Sequence, residues 1–550
     1  MDLGLRTKNL YLLSGSEMMT RILDHDHPHK MVQALSEEDF FWLVKKVGDE
    51  NSRLLLRLAS WEQRQYLLDL ELWQNDRFTF SEALLWIKRL QEADEQGLGK
   101  WLLGEGEYFA RLFFLGTIEL IQKEAEEPLD LPHDFFTFDG TVYIRVIDPR
   151  YNDLIRAILQ SLYRENLIRT TVLLEDLAGS IAAELEEELY RIRNVRIAEN
   201  GFLPFDEAVA VYAPSDTESL TRTEVSRPRP AATSGNAGTM VPVLPLFNSG
   251  TGTVLAEAVA GIADIRFLDR IRIEFAGLCN KLAAADGLSN FERDTLVDKC
   301  RKAAGYINLA LEKTSGGSPA GALERLQDNC LETLFRAGYG LVMKLKWRAE
   351  SWIEKSWGQD HGFGEDFWGE RWDMTLSGLR RKRPLYYAGS PEHEYRNFEN
   401  LAEYDTVSRT LGYIETLDLL LRHLDCCHTA TAVAIFREQT TFHPFIFTFW
   451  ARHVLGLPLS FAELSPEDAH KFFTFLREDD ADPPYSMHTA ERMFSEYFTH
   501  IAGPDDFPDG SILGDALAVV WHDFHDEYKW LSEEIPDGKF VRFLFIEAGE

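Results

Sequence analysis

Between about Leu35 and Ile121, apolar residues recur at helical spacing in short runs, most of them opened by a polar cap of their own. This pattern, more than any other, limits what the chain can fold into. Ser36 stands ahead of an acidic first turn and the stripe Phe40, Val44 and Val47, with Leu43 beside it. Ser60-Trp-Glu-Gln63 is a capping box: the hydroxyl accepts from an orphan N–H at the helix start and Gln63 reaches back. Thr79-Phe-Ser-Glu82 has the same form and opens a helix carrying Leu84, Ile87 and Leu90. A further helix is expected to bury Phe109, Leu112, Phe113 and Leu120. Helices this short hide their apolar faces only by stacking on neighbours. The expectation is therefore a mainly α protein with an N-terminal α-superhelix, solenoid-like and irregular, whose core includes Leu68 and Phe113.

The helical pattern breaks at residues 134–147, where Asp139-Gly140 between β-rich flanks predicts a hairpin with both turn residues at positive φ. One helix follows through Leu154, Ile155, Ile158 and Leu162. A second, long helix is expected from Leu174 through Leu177, Ile181, Leu185 and Leu189 to Ile192, its run Glu186–Glu188 solvated and Glu187 placed to pair with Arg191. Residues 214–241 hold no aromatic and are rich in Ser, Thr, Pro, Gly and Ala, the composition of a flexible linker. The division expected is residues 1–213, the linker 214–241, and a C-terminal, mainly helical domain over 242–550 with a sub-boundary near 425. In that domain, 253–313, 320–357 and 403–424 read as helical, Gly362–Pro391 as irregular, and Ser465-Pro-Glu-Asp468 as a helix start. Lys539–Ile546 reads as a strand.

Bulk properties narrow the function. A chain of 550 residues is too long for one ordinary core and suggests roughly two to four domains. The net charge of −33, from 57 basic and 90 acidic residues, opposes binding to nucleic acid or to anionic lipid. The five cysteines are odd in number and not spaced as a disulfide framework, which fits free thiols in a reducing compartment. No signal peptide and no membrane-spanning run is evident, since the longest nearly apolar stretch, Phe442–Trp450, is far too short. A cytoplasmic protein is expected.

The sharpest chemical grouping is Trp521-His-Asp-Phe-His-Asp526. On a helix, His522 and His525 share a face with Asp526, a donor set suited to a divalent metal such as Zn²⁺ or Fe²⁺. The competing reading is an exposed polar face opposite Val519, Val520 and Phe524. A fourth ligand would have to come from elsewhere, with His488 or His500 available if their helix packs alongside and Asp523 turned about a quarter-turn away. His25-Asp-His-Pro-His29 reads as a turn, and Asp425-Cys-Cys-His428 with His423 as a helix end. Arg380-Arg-Lys-Arg383 would suit a phosphate or an acidic partner, or the chain's own carboxylates. Trp347, Trp352, Trp357, Trp368 and Trp372 read either as packing or as a binding cleft. No phosphate loop, nucleophile elbow or Cys–His nucleophile pattern is present, so no catalytic residue is assigned.

Residues 35–73, LSEEDFFWLVKKVGDENSRLLLRLASWEQRQYLLDLELW, resemble an uncharacterised bacterial family, as do 195–212, 334–349 and 395–407. Residues 31–122 in turn resemble the superhelical cytoplasmic N-domain of magnesium transporters. The motifs that carry the resemblance are core and capping residues, so it implies a fold and no activity. The leading reading is a non-catalytic scaffold or regulatory protein that binds protein partners, with no cofactor. The alternative is a metal-dependent enzyme or metal sensor using His522, His525 and Asp526.

Overall fold

The computed structural model describes residues 15–48, 52–74, 76–122, 134–199, 203–221, 252–286, 293–391, 394–427, 440–477, 483–506, 510–530 and 541–547. It is mainly helical, with three small antiparallel sheets among the described residues. Two compact units divide the chain: residues 1–307 with 314–336, and residues 308–313 with 337–550. The expected linker lies mostly outside the described residues.

In the first unit the caps act much as their sequences require. Ser36 Oγ accepts from Asp39 N at 3.1 Å and starts the helix Glu37–Val47. Ser60 and Gln63 exchange both bonds of the capping box at the head of Trp61–Glu71. Gln63 Nε2 also donates to the carbonyls of Val32 and Leu35 at 2.9 and 2.8 Å, so one side chain closes its own helix and anchors the preceding turn. Thr79 makes no side-chain cap, contrary to the expected box; Phe80–Ala93 is held instead by its buried stripe Leu84, Ile87 and Leu90. Helices pack one beyond their sequence neighbour: Glu37–Val47 on Trp61–Glu71, and Arg53–Leu58 on Phe80–Ala93.

The helix Glu107–Thr117 stops before Leu120, which lies instead on the strand Ile118–Gln122. This strand pairs with Val142–Val146, and the short strand Phe136–Thr137 takes the other edge. The β-branched residues Ile118, Ile121, Val142, Ile144 and Val146 favour that pleated pairing over one more helical turn. In the hairpin, Gly140 alone of the turn pair has positive φ, at 79°. Asp139 caps the turn with its carboxylate, which accepts from Thr141 N and Val142 N at 2.8 and 2.9 Å.

The long helix expected through Ile181 is two helices, Leu167–Leu177 and Ala182–Glu199, broken at Ala178-Gly-Ser180. Its acidic run has work beyond solvation. Glu188, not Glu187, pairs with Arg191 at 2.7 Å, and Glu186 accepts from Phe78 N at 2.8 Å. Arg196 grips buried Asp69 with two bonds of 2.6 Å, and Arg193 donates to the Asp69 carbonyl. Tyr212, Asp286, Lys299 and Lys302 form a second buried polar knot, in which burial pushes the Lys302 ammonium well down.

The second unit is built on aromatic packing. His443–Val454 is buried from His443 through Ala451. Its Trp450 meets Phe472, Phe494 and Trp521 edge-on, and Phe447 stacks on Phe524 at 4.0 Å. The helix Gly510–Tyr528 packs on both Leu401–Cys427 and His488–Asp506. Residues 362–391 are not wholly irregular, because they contain the helix Glu370–Arg380 and the strand Tyr386–Tyr387. Among the described residues of the closing segment, only Ile546 makes a bridge, to Leu464. No helix among the described residues is long and apolar enough to cross a membrane.

Candidate functional site

The helix Gly510–Tyr528 sorts its residues by period. Val520, Trp521, Phe524 and Tyr528 are buried among the aromatics of the second unit. That leaves His522, His525 and Asp526 toward the other side. His522 Nε2 stands 3.3 Å from Asp526 Oδ2, and Lys529 Nζ donates to Asp526 Oδ1 at 2.6 Å. The Lys529 ammonium, helped by the neighbouring imidazoles, holds the Asp526 carboxyl below its ordinary value.

His525 makes a different bond. Its Nε2 lies 3.0 Å from the Tyr485 carbonyl, which can only accept, so Nε2 carries the proton and is spent on that contact. Of the three residues proposed as metal ligands, the fold therefore joins His522 to Asp526 and turns His525 toward Tyr485. Among the described residues, no three His, Cys, Asp or Glu side chains converge as a metal site. In the other histidine clusters, His25 Nδ1 accepts from His27 N at 3.1 Å, a local turn contact. Asp425 takes Trp357 Nε1 at 3.1 Å and His361 at 3.2 Å, whereas His428 lies outside the described residues.

His522 and His525 nevertheless share a cleft of about 530 Å³ with Trp521, Lys529, Trp530, His488, Glu491 and the segment 484–486. His488, named from the sequence as a possible donor, does reach this cleft; His500 is not part of its wall. Trp530 is 62% exposed, unusual for an indole. The cleft wall thus carries three imidazoles, one ammonium and one carboxylate, and the Lys529 ammonium is already paired with Asp526. Aromatic faces beside donors of this kind suit an anionic or aromatic group.

Behind the cleft is a polar set that the sequence does not announce. Arg371 donates to Asp523 Oδ1 at 2.6 Å, and His443 Nε2 stands 3.9 Å from Asp523 Oδ2. The His443 ring stacks on Phe543 at 4.5 Å, and its Nε2 finds no hydrogen-bond partner among the described residues. Burial, with Arg371 nearby, lowers His443 to about 3, so it is neutral over the physiological range. Partial burial raises Asp523 in spite of Arg371. These three residues are separated by 72 and 80 positions, and no local spacing signals their meeting.

Comparison with known proteins adds membership of a family. No curated protein and no solved structure matches the chain. Residues 2–547 match a family of unknown function, DUF6178, and the chain belongs to that family.

Proposed function

We propose that the protein is a non-catalytic binding protein whose C-terminal cleft receives an acidic, aromatic-bearing segment of a protein partner. The observation that carries this reading is Trp530, 62% exposed on the rim of a 530 Å³ cleft and flanked by Lys529 and the imidazoles of His488, His522 and His525. Exposed tryptophan beside basic groups is the composition of binding hot spots, where a few residues carry most of the affinity.

A capture experiment with the full chain tests this reading. Wild-type protein should retain specific partners from lysate of the source cells. Trp530→Ala and Lys529→Ala should each lose them with melting temperature unchanged. Retention by both variants would remove the cleft from the interaction. The metal reading rests on the His522–Asp526 pair alone and has its own measurement. Near-stoichiometric transition metal in tag-free protein, lost from the His522→Ala/His525→Ala double variant, would displace the binding reading in its favour.

A further inference from the structure

We propose that His525 is the specificity-determining residue of the C-terminal cleft, selecting a partner segment whose aromatic side chain carries a hydrogen-bond donor, tyrosine or tryptophan, over one bearing phenylalanine. The selection rests on the reading of that cleft as a docking site for an acidic, aromatic-bearing segment. All the residues concerned belong to the second unit.

Two hydrogen bonds tie the segment 484–488 to the helix Gly510–Tyr528. Tyr485 N donates to the Lys529 carbonyl at 2.9 Å, and His525 Nε2 donates to the Tyr485 carbonyl at 3.0 Å. The second bond fixes the tautomer, because a carbonyl only accepts. In the neutral ring Nδ1 is then the lone-pair atom, and it has no partner among the described residues. His525 is partly buried and lines the cleft, so the bracket leaves an acceptor, carried on an oriented ring, in the cleft wall. The facing segment is anchored too: Tyr485 and Met487 are buried, while Pro484, Ser486 and His488 are exposed between and beside them. His522 repeats the arrangement more openly. A lone pair on its Nε2 would face the Asp526 carboxylate at 3.3 Å, so the N–H lies there and Nδ1 accepts.

What the partner must bring follows from that acceptor. A phenylalanine ring packed on Trp530 would cover Nδ1 and return no hydrogen bond, leaving an acceptor stripped of water. A phenol O–H or an indole N–H satisfies it while the ring keeps the same apolar contact. Sites built to bond a polar tip reject the analogue that lacks it, through the group left unpaired. His522, His525 and Lys529 stand at i, i+3 and i+7, one stripe of the helix that runs to the Trp530 rim. At 1.5 Å of rise per residue, His525 lies about 6 Å along the axis from Lys529 and His522 about 10 Å. That places His525, and not His522, within the length of one aromatic side chain seated at the rim.

The test uses the full chain and three acetylated tetrapeptides, Glu-Glu-X-Glu with X tyrosine, tryptophan or phenylalanine. They are titrated by calorimetry with a chelator present at about pH 8, where an ordinary imidazole is neutral. The tyrosine and tryptophan peptides should bind about twofold to tenfold more tightly than the phenylalanine peptide, the range of one hydrogen bond. His525→Lys keeps a donor for the Tyr485 carbonyl and holds no lone pair, so it should bring that ratio to one, with the melting temperature unchanged. Trp530→Ala should weaken all three peptides. Equal binding of the three peptides to wild type, weakened by Trp530→Ala, would leave the cleft a docking site and overturn selection by His525. A ratio unchanged in His525→Lys would overturn it as well. Binding of none of the peptides, or binding indifferent to Trp530→Ala, would remove the docking site itself and the selection with it.

Discussion

Two acid–base groups, one buried and one partly buried, both lose stability on acidification, for different physical reasons. His443 is held neutral by burial, with its protonation pushed down to about 3 from 6.5. The folded value is depressed, so the stability tied to the neutral ring is full above pH 6.5 and is lost as pH falls toward 3. His443→Gln should flatten the acid side of the stability profile over that window, by on the order of 4 kcal/mol at pH 3, as read from urea melts at a series of pH values. A wild-type profile equally flat there would mean the ring is not buried neutral. Asp139 is also depressed, but as an acid. Partial burial opposes ionisation, yet the N–H groups of Val142 and Thr141 bring its carboxyl from 3.8 to about 2. Its contribution is therefore present above pH 4 and fades between about 4 and 2. Asp139→Asn should be less stable than wild type at neutral pH, and the gap should close as pH drops toward 2. The Asp139-Gly140 turn was legible in the sequence; the carboxylate cap in place of a second positive φ was not, because it depends on where two N–H groups point after the turn forms.

At the scale of elements, capping and stacking are separable by size of effect. Ser60→Ala should cost about 0.5–2 kcal/mol, the range for a lost N-cap. Leu68→Ala and Phe113→Ala, at 1% and 0% exposure, should each cost about 2–5 kcal/mol through lost burial and a residual cavity. Gln63→Ala should exceed Ser60→Ala, because Gln63 also satisfies the Val32 and Leu35 carbonyls. Thermal melts of the four variants rank them, and a Ser60→Ala more harmful than Leu68→Ala would mean that capping, not stacking, holds the unit together. Between elements, Gly378 lets the helix Glu370–Arg380 meet the chain ahead of Tyr386. A Cβ there would stand 2.6 Å from the Leu385 carbonyl, so Gly378→Ala should destabilise by about 1–3 kcal/mol while a surface Gly364→Ala does little. Caps such as Ser36, Ser60 and Ser465 were readable because the hydrogen bond spans only three residues. The end of Glu107–Thr117 was not, since Leu120 is equally apolar on a helix or a strand and its partner Ile144 lies far along the chain.

For the whole molecule, a net charge of −33 means the compact chain repels itself. Added salt shortens the range of that repulsion, to about 8–10 Å at physiological strength. Melting temperature at pH 7 should therefore rise between low and moderate salt; a fall would show that specific surface ion pairs outweigh the general field. Composition, periodicity and short-range capping determined a mainly helical chain, a hairpin near Asp139-Gly140 and a polar face carrying His522, His525 and Asp526. These depend on contacts within a few residues, where sequence spacing and spatial spacing are the same thing. Only the tertiary structure decided that His525 spends its Nε2 on Tyr485, that Trp530 and His488 share one cleft with His522, and that Arg371, His443 and Asp523 meet behind it. Those meetings depend on how helices far apart in the chain pack through their aromatic faces, and such packing carries no local period from which a partner can be read.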